Sequence, residues 1–206
     1  MTPFADFAVI LLAAGFSRRM GSENKLLKPL DGGPLIAHAL ETIAGLGLGQ
    51  FIVVLGESAD AIAPLLPASA TILRNPRPGE GMGTSIAAGA AALRSSLTGV
   101  FVALADMPFV TCADYEKLAA AFQAENGQAI CVPLHQGRRG NPVLFPSLYF
   151  TALLACQGDG GARHILGTPD VKLREVEGCS PGVLADFDDP ASFAAYAASH
   201  PQALQK

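Results

Sequence analysis

Three cations, Arg18, Arg19 and Lys25, fall within the eleven positions 15–25, directly behind an apolar run that ends in Leu12, Ala13, Ala14 and Gly15. Small residues let backbone amides approach a ligand closely, because nothing larger than a methyl group stands in the way. Amides and cations together are what a polyphosphate requires. The spacing is neither that of a P-loop nor that of a dinucleotide-binding turn, since the required lysine and the second and third glycines are missing. A strand ending in a surface turn with scattered basic residues is the plainer alternative.

A carboxylate at a strand end would complement those cations. Asp106 follows the wholly apolar segment 100–105, and it would either hold a metal or cap the next helix, a job for which Thr111 and Asp114 stand closer. Asp186 and Asp188 repeat the pattern, flanking Phe187 so that both would point the same way on an extended segment. The stretch 79–86, with Gly81, Met82, Gly83, Thr84 and Ser85, reads as a flexible loop entering a helix, with amides free for an anion or a base edge. Thr84 as a simple N-cap is compatible with that. Two loops are more ambiguous. Gly140, Asn141 and Pro142 follow two arginines and suit either an anionic substrate or an exposed turn, and Asp159 and Arg163 lie in a glycine-rich turn with a phosphate contact at Arg163 as one option.

These residues must be positioned by the elements around them. β-like runs at 8–13, 51–55, 71–73, 100–104 and 129–132 alternate with helical patterns at 34–46, 60–66, 84–97 and 113–125. That alternation predicts an α/β fold, a single-domain, mostly parallel Rossmann-like sheet flanked by helices. The glycines at 45, 47 and 49 follow a helix, so they lie away from the strand carboxyl ends and read as a helix stop. A short run at 142–145, a helix at 147–156, a last strand at 183–187 and a closing helix at 191–199 complete the expectation.

The composition narrows the chemistry further. The 206 residues carry a formal net charge of −4 and are half hydrophobic, which argues against a nucleic-acid surface and against disorder. Cys112, Cys131, Cys156 and Cys179 form no Cys-x-x-Cys pair, and the four histidines show no ligand spacing. A bound metal would therefore be held by carboxylates, as Mg2+ is. With no signal segment and no apolar run near 20 residues, the expectation is a cytoplasmic protein without a membrane span.

In order along the chain, Leu12-Ala13-Ala14-Gly15-x-Ser17-Arg18-Arg19-Met20-Gly21, Asn24-Lys25-Leu26-Leu27, Gly81-Met82-Gly83-Thr84-Ser85, Ala105-Asp106-Met107-Pro108, Gly140-Asn141-Pro142 and Asp186-x-Asp188-x-Pro190 are all present. This set resembles the molybdenum cofactor nucleotidyltransferases of the nucleotide-diphospho-sugar transferase superfamily. The likeness is greatest to the branch that joins CMP to molybdopterin, whose sister branch attaches GMP. The resemblance implies that Leu12, Ala13, Ala14 and Gly15 bind the nucleotide, that Arg19 and Lys25 hold its phosphates, and that Gly81, Met82, Gly83, Thr84 and Ser85 line the base and ribose site. It further implies Mg2+, or Mn2+, on Asp106 and Asp188, with Asp186 as substitute, and an acceptor side at Gly140, Asn141 and Pro142 with Asp159 and Arg163. Lys25, Arg19 and Asp106 would then carry the catalysis. The implied partners are a nucleoside triphosphate, a molybdopterin-type acceptor and a molybdoenzyme client, with no nucleic acid and no membrane. GTP as donor, another phosphorylated acceptor, or cofactor delivery without catalysis remain alternatives. The three residues between Gly21 and Lys25 depart from some relatives, so the reach of Lys25 depends on that loop.

Overall fold

The computed structural model describes residues 4–15 and 24–187. Arg18, Arg19 and Asp188, like the expected helix at 191–199, lie outside the described residues. Ten strands are present among the described residues: β1 (Phe7–Ala13), β2 (Pro29–Leu30), β3 (Gly33–Pro34), β4 (Gln50–Leu55), β5 (Ala70–Arg74), β6 (Gly99–Leu104), β7 (Ile130–His135), β8 (Arg138–Arg139), β9 (Val143–Pro146) and β10 (Leu173–Val176). Six α-helices accompany them: α1 (Leu35–Ala44), α2 (Ala59–Ile62), α3 (Met82–Ala90), α4 (Cys112–Ala124), α5 (Phe150–Leu154) and α6 (Arg163–Leu166).

The main sheet runs β10-β7-β9-β6-β1-β4-β5, with β8 paired to β7. β1 pairs in parallel with both β4 and β6, β4 with β5, and β10 with β7, whereas β9 is antiparallel to β6 and β7. Mostly parallel pairing is what the alternating sequence demanded, because parallel neighbours need a crossover between them. All seven residues of β1 are buried. Their period of two divides the core. Val9, Leu11 and Ala13 face the side covered by Leu35, Ile36 and Leu40 of α1 and Tyr115 and Leu118 of α4, while Ala8, Ile10 and Leu12 face Ile86 of α3, Leu153 of α5 and Ile165 of α6.

Local chemistry sets the helix boundaries. Thr111 and Asp114 form a capping box at the start of α4, each side chain taking the other's backbone amide. The pattern at 60–66 yields only the short α2 followed by a tight turn at Ala63–Leu65, because Pro64 cannot continue an α-helix. α3 covers Met82–Ala90 rather than 84–97, with Gly81 at its N-cap, so the expected cap at Thr84 is corrected.

The segment expected as a last strand at 183–187 also differs. It contains a single 3-10 turn at Pro181–Leu184, and Val183 and Phe187 are buried without joining a ladder. Their backbone bonds go to loops instead: the Asn141 amide donates to the Val183 carbonyl at 2.9 Å and the Phe187 amide to the Asp106 carbonyl at 3.1 Å. Burial alone wrote a strand-like pattern there. The last strand among the described residues, β10, has no strand-like sequence pattern because Arg174 and Glu175 are exposed on it.

Candidate active site

The chain runs outward from β1 to β4 and β5, then returns to β6 on the opposite side of β1. Such a reversal opens a crevice beyond the strand carboxyl ends, where neighbouring crossovers diverge. A cavity of about 360 Å³ lies there. One wall is Leu12, Ala13, Ala14 and Gly15 from the end of β1, and another is Leu104 and Asp106 from the end of β6. Lys25 and Leu26 cover one side, while Pro78, Gly79, Gly81, Met82, Ser85 and Asp159 form the opposite lip.

Lys25 and Asp106 meet across the crevice, with Nζ 2.5 Å from Oδ2. Their side chains are 12% and 18% exposed, so each charge is substantially desolvated and depends on the other. The lysine is held by a 3-10 turn, Lys25–Leu27, in which the Asn24 side chain accepts the Leu26 amide at 2.9 Å and Leu26 itself is buried. The aspartate is held by its strand. The Ala105 amide donates to the Leu12 carbonyl at 3.1 Å, which extends the β1–β6 ladder to the residue before it.

The glycine lip is shaped by close approach of two backbones. Gly81 has φ of +102°, and a Cβ there would lie 2.3 Å from the Gly158 carbonyl carbon. A Cβ on Gly83 would lie 2.4 Å from that of Gln157, and its amide donates to the Gly158 carbonyl at 2.8 Å. The expected free amides of this turn are therefore partly spent: Gly83 on Gly158, and Thr84 on the Gly81 carbonyl at 3.2 Å. Gly83 and Thr84 do not line the cavity, whereas Gly81, Met82 and Ser85 do.

Beneath the lip lies Asn75, which the sequence reading passed over because an Asn before a proline signals only a turn. It is buried, its Nδ2 donates to Thr84 Oγ1 at 2.8 Å and to Ser85 Oγ at 2.9 Å, and its Oδ1 accepts the Arg77 amide at 2.9 Å.

Residues 9–176 match the family described as the MobA-like NTP transferase domain. The chain belongs to that family. Curated relatives include the bifunctional protein GlmU of Paramagnetospirillum magneticum, 32% identical over 190 residues, which are 88% of this chain and 38% of that protein. GlmU of Agrobacterium fabrum is 33% identical over 124 residues, 58% of this chain and 27% of its own length. The chain thus spans 27% and 38% of the lengths of these relatives. Among solved structures, a Mycobacterium tuberculosis Rv0371c homologue from Mycobacterium sp. strain JC1 superposes with a TM-score of 0.82 at 23% identity, covering 95% of this chain and 97% of that one. Rv0371c of M. tuberculosis H37Rv in complex with manganese gives 0.72 at 22% identity, covering 92% and 97%. Molybdopterin-guanine dinucleotide biosynthesis protein A of Archaeoglobus fulgidus gives 0.65 at 20% identity, covering 91% and 95%. These neighbours share the α/β fold.

Within this MobA-like domain the expected residues divide into three groups. Leu12, Ala13, Ala14, Gly15, Lys25, Gly81, Met82, Ser85, Asp106 and Asp159 share the one cavity. Arg19 and Asp188 lie outside the described residues, so neither is placed. Gly83, Thr84, Gly140, Asn141, Pro142, Arg163 and Asp186 do not line it: Asn141 is tied to Val183, Asn141 and Pro142 border a separate small pocket beside Tyr115, and Arg163 is exposed on α6.

The donor set at Asp106 suits a hard divalent cation. Asp106 borders the cavity, whereas Asp186 does not line it, although the next residue, Phe187, donates its amide to the Asp106 carbonyl. One or two carboxylates completed by phosphate oxygens and water are what Mg2+ or Mn2+ requires. Among the described residues no group of three or more acidic, histidine or cysteine side chains converges on one point. No helix among them is long and apolar enough to cross a membrane.

Proposed function

We propose that this chain transfers CMP from CTP to a molybdopterin-type acceptor with release of pyrophosphate. The Lys25–Asp106 pair at the floor of the β1–β6 crevice carries the reading, because it sets a cation and a hard oxygen donor over one cavity. The amides at Leu12, Ala13, Ala14 and Gly15 receive the nucleotide, Lys25 neutralises its phosphates, and Gly81, Met82 and Ser85 border the base and ribose. A phosphate oxygen of the acceptor attacks the α-phosphorus in line, the new P–O bond forms as the bond to the β-phosphate oxygen breaks, and pyrophosphate carries away the electron pair. Such chemistry asks for positioning and charge neutralisation, with no covalent nucleophile.

Asp106, with Asp186 or Asp188, would hold a Mg2+ or Mn2+ ion, which supplies charge for the departing pyrophosphate. The manganese held by the M. tuberculosis neighbour accords with that assignment. Arg19 would join Lys25 on the phosphates. Gly140, Asn141 and Pro142 with Asp159 and Arg163 would face the acceptor; of these, Asp159 is the one on the cavity. The test incubates the protein with each of CTP, GTP, ATP and UTP, Mg2+ and molybdopterin and measures pyrophosphate. Release with CTP is expected; preferential release with GTP would change the base, turnover only with another phosphorylated acceptor would change the acceptor, and no release under any pairing would refute nucleotidyl transfer.

A further inference from the structure

Hydroxyl groups can donate or accept, and which they do inside a buried network is fixed by their neighbours. At the lip of the cavity that decision is made by one backbone amide. The Arg77 N–H can only donate, and it donates to Asn75 Oδ1 at 2.9 Å. The Asn75 carboxamide is thereby locked with its Nδ2 turned to the two hydroxyls, Thr84 Oγ1 at 2.8 Å and Ser85 Oγ at 2.9 Å. Both hydroxyls must accept from it. Thr84 passes its own proton to the backbone, with the Arg77 carbonyl at 3.0 Å and the Gly81 carbonyl at 2.9 Å. Ser85 differs from its neighbour. Its oxygen takes the Asn75 bond, its proton is donated to no other described residue, and it borders the cavity that Thr84 does not. Asn75, Thr84 and Ser85 are 6%, 7% and 5% exposed, so bulk water does not freely scramble these roles.

We propose that Asn75 is a positioning residue that presets Ser85 as a hydrogen-bond donor into the nucleotide cavity, so that the ligand atom favoured there is an acceptor. The inference rests on the cavity being the nucleoside triphosphate site. An unprotonated ring nitrogen, a base carbonyl or a ribose oxygen satisfies it; an exocyclic amine reaches only the second lone pair of Ser85 Oγ and leaves the hydroxyl proton unpaired, which costs affinity. The relay also explains why two adjacent hydroxyls of one helix turn have different functions. Thr84 fastens the lip to residues 77–81, and Ser85 addresses the ligand.

Reversing the polarity without changing the shape provides the test. In Asn75→Asp both side-chain oxygens accept, so the Ser85 proton is drawn to the aspartate and away from the cavity. Titration calorimetry with CTP and with GTP is run on the unsubstituted protein, Asn75→Asp, Ser85→Ala and the double variant, beside ligand-free thermal melts. Each single variant should weaken the preferred nucleotide by roughly tenfold, the size of one hydrogen bond. In the Ser85→Ala background Asn75→Asp should add less than about twofold. A full tenfold loss in that background would assign Asn75 a bulk structural or charge effect and overturn the inference. If Asn75→Asp does not fold, Ser85→Ala alone decides: affinity equal to the unsubstituted protein overturns it. Nucleotide binding unchanged in every variant refutes the relay alone, whereas an unsubstituted protein that binds no nucleotide refutes the parent reading with it.

Discussion

Lys25 Nζ and Asp106 Oδ2 lie 2.5 Å apart although 81 positions separate them in sequence. One follows β1 and the other lies two residues beyond the end of β6, so the contact exists only because β6 returns to the side of β1 opposite β4. An ion pair spanning the switch point ties the site's electrostatics to the topology itself.

Removing either partner takes a compensating charge from the other in a partly desolvated place. Asp106→Asn and Lys25→Met are each expected to lower pyrophosphate release at saturating CTP by about a hundredfold or more, in line with the loss of a preorganised charge at a reacting phosphate. A continuous assay in which inorganic pyrophosphatase converts the released pyrophosphate to phosphate measures it; Asp106→Asn with more than a tenth of the original rate would contradict the assignment.

Metal removal should silence the same step. Dialysis against EDTA is expected to abolish pyrophosphate release, with Mg2+ or Mn2+ restoring it. Asp186→Ala is expected to raise the metal concentration needed for half-maximal rate, since its neighbour Phe187 is bonded to Asp106. Full activity in EDTA would remove the carboxylate-held ion from the mechanism.

Gly81→Ala and Gly83→Ala each drive a methyl group into the backbone of 157–159, and Gly81 adds the strain of a positive φ. Each is expected to destabilise the fold by about 2 kcal/mol or more, on the scale of other overpacking substitutions. Urea unfolding quantifies that, and a higher KM for CTP should accompany it, because Gly81 borders the cavity.

Acid should act through a different carboxylate. Burial pushes the Asp114 carboxyl up, but hydrogen bonds from the Ser180 and Thr111 amides and hydroxyls outweigh it and hold the pKa below the ordinary 3.8. A depressed folded pKa means the stabilisation is complete above the unfolded value and is lost as pH falls through the folded one. Asp114→Asn should therefore cost about 1–3 kcal/mol at pH 7. The gap should stay constant down to about pH 5 and shrink below pH 4. Urea midpoints of both proteins between pH 7 and pH 2.5 test it, and a gap that widened in acid would be the wrong sign.

The thiols should divide by exposure. Burial pushes Cys131 up to about 12 and Cys156 to about 11, and raises Cys179, while Cys112 is exposed. Only thiolates react quickly with an aromatic disulfide reagent. One equivalent should react within seconds to minutes on the native protein and three more after unfolding.

Much of the fold was legible because its signals are local. An unbroken apolar run rich in β-formers, such as 8–13, suits a strand covered on both faces, and Thr111 with Asp114 announces a helix start. Asp106 and Lys25 were likewise readable as residues placed after strand-like or glycine-bearing segments. What stayed hidden depends on partners distant in sequence. Thr84 looked like a cap until Gly81 took that place, and the pull of Gly158 on the Gly83 amide has no counterpart in the spacing of either segment. Val183 and Phe187 imitate a strand because burial, whatever the backbone does, selects the same residue types. Asn75 shows the same limit at the site: its significance lies in which atoms it turns toward Ser85, information carried by the Arg77 amide.

The placement of β1 also has a bearing on synthesis. Its seven apolar residues are made well before their β6 partner, which ends at Leu104, about 90 residues later. At the usual pace of roughly 5–20 residues per second, that edge waits on the order of 5–20 s on the ribosome without its neighbour. The strand that carries one wall of the crevice is thus the one with the longest exposure to wrong partners, and a nascent-chain chaperone is most valuable to this protein during that interval.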